Sequence, residues 1–153
     1  MSIAIDHFLF RVAGVFIKER KVLLHMTKNG RGWVLPGGKA EVNELTTDTI
    51  IREFEEELGY TVKVDRLLWI IENFNAYGVP ELHEHGMYYA VEASGVIVQD
   101  AAFTGKEELG IRYQWVNIDE FDHVNIYPKA LVTLIRELAQ TDGIKHVMNN
   151  DLE

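Results

Sequence analysis

The sequence predicts a mixed α/β fold in which helices cover a sheet. Three observations carry that reading. The chain has 153 residues, enough for one domain, residues 1–153, with a sizeable core. Most of its apolar runs are short and β-rich, and only two stretches have helical spacing. The order is strands, helix, strands, helix, without the regular alternation of a doubly wound parallel sheet.

Residues 8–17, FLFRVAGVFI, read as a strand, and Glu19-Arg20 makes a turn into a return strand, KVLLHMT. KNGRG is a loop, and WVLPGG is a short extended piece stopped by Pro36. Residues 46–58 read as a helix, with Thr46 as its expected N-cap and Gly59 in the place of a C-cap glycine. TVKVDRLLWIIENF is a long strand, NAYGVPE a loop, and HGMYYAVEASGVIV a further strand bent at Gly95. After the loop QDAAFTGKEELG come the strand IRYQWVNI and a second helix, YPKALVTLIRELA, with Pro128 in its first turn. The tail, TDGIKHVMNNDLE, is mostly polar, and its IKHVM segment is a candidate to dock on the body.

Composition narrows the function. The hydrophobic fraction is 47% and the charged fraction 25%, as in folded globular proteins. There is no cysteine, which excludes a disulfide framework and a thiolate metal site. A net charge of -9 opposes a surface that coats a nucleic acid duplex. A small phosphorylated substrate stays open if local cations or a metal receive it. No apolar stretch approaches the roughly 20 residues of a membrane span, and the first residues lack a signal peptide's pattern, so the expected compartment is the cytoplasm.

The densest charge lies in GKAEVNELTTDTIIREFEEELGY, residues 38–60, which hold seven acidic side chains. On a helical wheel Ile50, Ile51, Phe54 and Leu58 fall on one side. Glu53, Glu56 and Glu57 fall together on another, related by three and four residues, while Glu55 points elsewhere. Arg52 precedes Glu56 by four and can pair with it. A solvated acidic face is the plain reading of such a run. Two details argue for more. Glu56 and Glu57 occupy the last turn, where the helix dipole disfavours them. Three neighbouring carboxylates are also hard oxygen ligands suited to Mg²⁺ or Mn²⁺.

The stretch resembles the signature of the Nudix hydrolases, G-x5-E-x7-R-E-U-x-E-E-x-G-U, where U is bulky and apolar. Gly38, Glu44, Arg52, Glu53, Glu56, Glu57 and Gly59 match the fixed positions, and Phe54 and Tyr60 stand at U, where aliphatic residues are commoner. The resemblance implies the family's α/β/α sandwich, a mixed sheet flanked by helices. It implies that Glu53, Glu56 and Glu57 ligate a divalent metal, that Glu44 supports the metal shell and that Arg52 orients the helix carboxylates. It also implies a reaction, attack of water on a phosphorus of a nucleoside diphosphate linked to another group. Gly37 and Gly38 let the backbone turn and approach a ligand. Lys39 is either a phosphate contact or an exposed turn lysine. For the general base Glu53 comes first and Glu108, on the GKEELG loop, second, with plain loop charge as the alternative for the latter.

Other constellations carry less. His83 and His85 share a strand face and face either a substrate pocket or solvent, with no third metal ligand evident. Tyr77 lies 17 residues after Tyr60, as a tyrosine does in family members acting on diadenosine polyphosphates. Asn75 and Ala76 stand where ADP-ribose enzymes usually have proline, and Pro80 is too late. Asn125 lies just upstream of the place where an asparagine reads oxidised guanine in other members. The expectation is therefore a metal-dependent pyrophosphohydrolase acting on a small nucleotide, with a homodimer left open. The competing class, a non-catalytic nucleotide sensor on the same fold, typically loses box carboxylates that this chain keeps.

Overall fold

A computed structural model describes residues 7–107 and 110–153. Its centre is β1 (Phe8–Lys18), in which residues 12–16 are buried on both faces. A strand covered on both sides needs a continuous apolar run, which VAGVF supplies. One edge of β1 pairs in parallel with β6 (His83–Glu92) from Phe8 to Phe16. The other edge is shared. Arg11, Val12 and Ala13 face β4 (Gly37–Lys39), and Ile17 and Lys18 face β2 (Lys21–Met26), both antiparallel. The chain therefore forks at β1, and Gly14 N donates to Pro36 O at the fork.

Around this centre the strand order is β7-β8-β2-β1-β6-β5-β9, with β3 (Trp33–Val34) on β2 and β4 on β1. Here β5 is Lys63–Phe74, β7 Phe103–Thr104, β8 Arg112–Asn117 and β9 Lys145–Asn150. The β1–β6 and β5–β9 pairs are parallel and the other strand pairs antiparallel, so the sheet is mixed, as the sequence indicates.

Two helices flank the sheet. On one face α1 (Thr46–Leu58) buries Ile50, Phe54 and Leu58 against Val12, Phe16, Leu23 and Tyr113. On the other face α2 (Leu131–Arg136) and the 118–123 turn bury Phe121, Leu131, Leu134 and Ile135 against Ala13, Val15, Trp69 and Ile71. The approach of α1 is set by a missing side chain. A Cβ on Gly14 would lie 2.7 Å from the Phe54 ring, so Phe54 packs directly on the β1 backbone. Among the described residues no helix is long and apolar enough to cross a membrane.

Several elements differ from the sequence reading. Thr46 is the first helical residue and not the N-cap, which is Leu45; the Thr46 hydroxyl instead meets Tyr89 Oη at 2.7 Å. Ile51, grouped with Ile50, Phe54 and Leu58 on the wheel, is 38% exposed and lies outside the stripe those three pack on the sheet. The strand expected to run to Val98 ends at Glu92, and Gly95, at φ 78°, belongs to a following turn. Residues 127–139 form the short α2 and run into a single 3-10 turn at Leu138–Gln140. Just ahead of it, the backbone N–H groups of Lys129 and Ala130 donate to Asp151 and Asn149.

Those acceptors come from the tail, which adds β9 beside β5 from Trp69 to Phe74. Asp151, 2% exposed, accepts from Asn73 Nδ2 and Tyr77 N at 2.9 Å each, from Lys129 N at 2.9 Å and from Asn149 Nδ2 at 2.8 Å. One carboxylate thus joins β5, the 76–78 turn, the entry to α2 and β9. Asp151→Ala strands these donors in the interior and is expected to cost about 3 kcal/mol in urea unfolding. Asp142→Ala, at an exposed position, should stay within about 0.5 kcal/mol.

Candidate functional site

The acidic residues of α1 form a gradient from core to solvent. Glu57 is 8% exposed, the Glu53 side chain 14% and the Glu56 side chain 52%. Glu55 is exposed, outside this group. The gradient follows from a helix lying on the sheet by its Ile50–Phe54–Leu58 stripe, which turns Glu53 toward Gly38 of β4 and Glu57 toward Tyr113 of β8.

Gly38 makes room for this. A Cβ there would run into the Glu53 carboxylate, and one on Gly37 would run into the Val12 carbonyl. Neither glycine has a positive φ. Their smallness serves close packing of β4 between β1 and α1, and the tight turn expected of them is absent.

Arg52 organises the carboxylates. Its Nε and Nη2 donate to the two Glu44 oxygens at 2.8 and 3.0 Å, and Nη1 donates to Glu53 at 2.9 Å and Glu56 at 3.4 Å. Glu44 also accepts from Thr49 Oγ1 at 2.7 Å and Glu41 N at 3.2 Å. The Arg52 and Thr49 hydrogen bonds hold the Glu44 carboxyl down at about 2.

Glu57 is the opposite case. Burial, followed by the nearby charge of Glu53, pushes its carboxyl up to about 7, while Tyr113 Oη donates to it at 3.0 Å. Burial raises Glu53 as well, against the pull of Arg52. The charge of Glu53 thus adds to burial in raising Glu57. Tyr113 is a partner that sequence reasoning missed; its one signal was an inward-facing place on a strand just after the GKEELG loop. That loop docks here too, through Lys106 N to Glu57 O at 2.7 Å. Glu108, the second candidate base, lies outside the described residues.

The remaining candidates are dispersed. The Lys39 side chain is exposed and without a polar partner among the described residues, and its carbonyl accepts from Arg52 at 3.4 Å. Tyr77, at φ 60°, turns its hydroxyl inward to donate to the buried Glu84 and sets its ring edge-on to Tyr127 at 6.1 Å. Asn125 donates to Arg31 O at 2.7 Å, bracing the 27–32 loop. His83 stacks on Phe74 at 4.7 Å, and His85 faces Glu72 at 3.9 Å. The structure thus brings Glu44, Arg52, Glu53, Glu56, Glu57 and Gly38 together and leaves Tyr77 tied to another cluster.

Oxygen donors of this kind suit a hard divalent cation. Among the described residues no three acidic or histidine side chains already converge as a closed cage. The cause is visible: Arg52 holds Glu53 and Glu56 to itself, and Tyr113 holds Glu57. An ion would compete with those two partners for the carboxylates.

The NUDIX domain profile matches residues 8–138. A MutT-like protein of Streptomyces ambofaciens is 40% identical over 142 residues, 92% of this chain and 82% of that protein. YjhB of Bacillus subtilis, named as a candidate ADP-ribose pyrophosphatase, is 27% identical over 105 residues. That match covers 64% of this chain and 50% of the relative, so the chain spans half the length of YjhB. The crystal structure of a UDP-X diphosphatase superposes with a TM-score of 0.69 at 24% identity, covering 91% of this chain and 66% of that one.

The raised Glu57 carboxyl has a consequence for stability. The folded protein keeps its proton to about pH 7, whereas the unfolded chain releases it near the ordinary value of 4.5. Between those pH values the native state binds more protons, so metal-free stability falls as pH rises. Thermal melts of metal-free protein across this window should show the decline, and Glu57→Gln should flatten it.

Proposed function

Because the chain belongs to the Nudix family, we propose that it is a metal-dependent pyrophosphohydrolase. Its substrate class is a nucleoside diphosphate linked to another group, cleaved at the phosphoanhydride. The observation that carries this reading is the graded row Glu53, Glu56 and Glu57, the first two held by Arg52 and the third buried against Tyr113 with its carboxyl pushed up to about 7. The name given to YjhB supports a substrate with a group beyond the diphosphate.

In this reading Glu53, Glu56 and Glu57 hold Mg²⁺ or Mn²⁺, with Glu44 supporting them from behind Arg52. The bound cation would neutralise phosphate oxygens, activate water and stabilise the leaving group. The residues divide the remaining work. Glu53, half-buried against Gly38, is the first choice to take the proton from the attacking water. Glu108, in the sequence GKEELG, is the second choice. Tyr113 orients Glu57. Arg52 keeps four neighbouring carboxylates apart and aimed, a positioning role. Gly37 and Gly38 bring the β4 backbone, and with it Lys39, up to the carboxylates. The net charge of -9 makes a small nucleotide a better substrate than a nucleic acid duplex.

A panel of nucleoside diphosphate derivatives with Mg²⁺ and Mn²⁺ tests the reading. Turnover should stop with EDTA and return with either ion. On any substrate so found, Glu57→Gln should lower kcat by at least roughly a hundredfold, equivalent to about 2.7 kcal/mol of barrier. Turnover at the unmodified rate would remove the helix carboxylates from the chemistry.

A further inference from the structure

Helix α1 covers only one end of its sheet face. Val12, Phe16, Tyr89 and Val91 lie beneath it, in the later halves of β1 and β6. In the earlier halves two rows of side chains continue the same face. Strand register aligns Phe8, His83 and Phe74 in one row, and Phe10, His85, Glu72 and Met148 in the next. Burial alternates here as in a sheet covered on one side only. Asn73, Glu84 and Gly86 are buried on the far face, whereas Phe74 is 40% exposed, Phe10 42%, Phe8 47% and Met148 67%.

The rings of this platform hold one another. Phe8 meets His83 and His85 edge-on at 5.1 Å each, and His83 stacks on Phe74 at 4.7 Å. Side chains already fixed in this way lose little freedom when something covers them. The bare parts of Phe8, Phe10, Phe74 and Met148 expose on the order of 400 Å², as large as the main apolar patch of an ordinary monomer. The His85 and His146 side chains, 42% and 59% exposed, extend it. The whole approaches the roughly 800 Å² per partner of a standard protein contact.

Charge selects the occupant. A quarter of the chain is charged and its net charge is -9, yet the two rows contain one carboxylate and no lysine or arginine. That carboxylate, Glu72, already faces His146 Nε2 at 2.6 Å and His85 Nε2 at 3.9 Å. Aromatic and methionine side chains with few charges are the composition of an interface core. Two copies of so acidic a chain repel over most of their surfaces. On this platform they meet without opposing charge. The set is also self-complementary, since imidazoles donate and Glu72 accepts. A two-fold contact requires that property, because it sets the same patch on both sides. We propose that the platform is the interface of a homodimer, in which two copies pack sheet to sheet about a two-fold axis. The dimer needs neither metal nor substrate and is independent of the hydrolase reading.

Sedimentation velocity of the full chain from about 2 to 200 µM tests the dimer, a range that brackets a micromolar dissociation constant. The weight-average mass should climb from 17.5 kDa toward twice that value. Phe10→Glu and Met148→Glu each bury a new charge once per copy, and each should weaken association at least roughly tenfold. Ile97→Glu, at a 79% exposed position beyond the opposite end of β6, should associate as the wild type does. Melting curves on the same samples verify folding, and Phe8→Ala replaces any glutamate variant that unfolds. A chain that stays at 17.5 kDa throughout overturns the proposal. So does a dimer that both platform variants leave intact, because the contact then lies elsewhere. Equal weakening by Ile97→Glu would trace the effect to added charge alone and remove the platform as well.

Discussion

Arg52 sits among four carboxylates, and the acidic helix holds its shape around that one guanidinium. Glu44 takes two of its donors, Glu53 a third, Glu56 shares the third, and Glu41 stands 3.8 Å away. Without a cation in their midst, Glu53, Glu56 and Glu57 would repel one another on consecutive turns. Arg52 relieves that repulsion for the residues it reaches. Glu57, beyond its reach, keeps a proton instead. The same side chain also pins the 39–44 loop to the helix, through Lys39 O and Glu44, so the loop and the carboxylates are placed together.

Close approach makes this possible. Phe54 packs on Gly14, Glu53 on Gly38, and the β4 backbone on Val12 through Gly37. Three small residues on two neighbouring strands let one helix lie deep against the sheet. A helix standing further off would leave Glu57 in water at its ordinary ionisation. It would also separate Glu57 from Tyr113, whose hydroxyl orients it.

Much of this was legible in the sequence because it is local. The 46–58 helix and its Gly59 cap follow from periodicity and a left-handed glycine, and both stand as read. The grouping of Glu53, Glu56 and Glu57, and the Arg52–Glu56 pair, follow from helical spacing. What escaped depends on contacts far apart in the chain. Residues 127–130 have the look of a helix start, but they form a turn before α2 whose N–H groups the distant Asn149 and Asp151 side chains cap. The tail looked polar, yet Asp151 gathers donors from residues 22 to 78 positions away. Tyr77 stands in the sequence as a candidate substrate contact, and only the fold shows Glu84 beneath it.

The central claim is that the helix carboxylates form a cation site. Melting temperature as a function of added Mn²⁺ tests it without a substrate, since an ion bound only by the native state raises stability. The account predicts that Mn²⁺ raises the melting temperature of the wild-type chain, more strongly at pH 8 than at pH 6 as Glu57 gives up its proton. A chain carrying Glu53→Gln, Glu56→Gln and Glu57→Gln together should show no rise. An equal rise in both proteins would place the cation elsewhere and contradict the account.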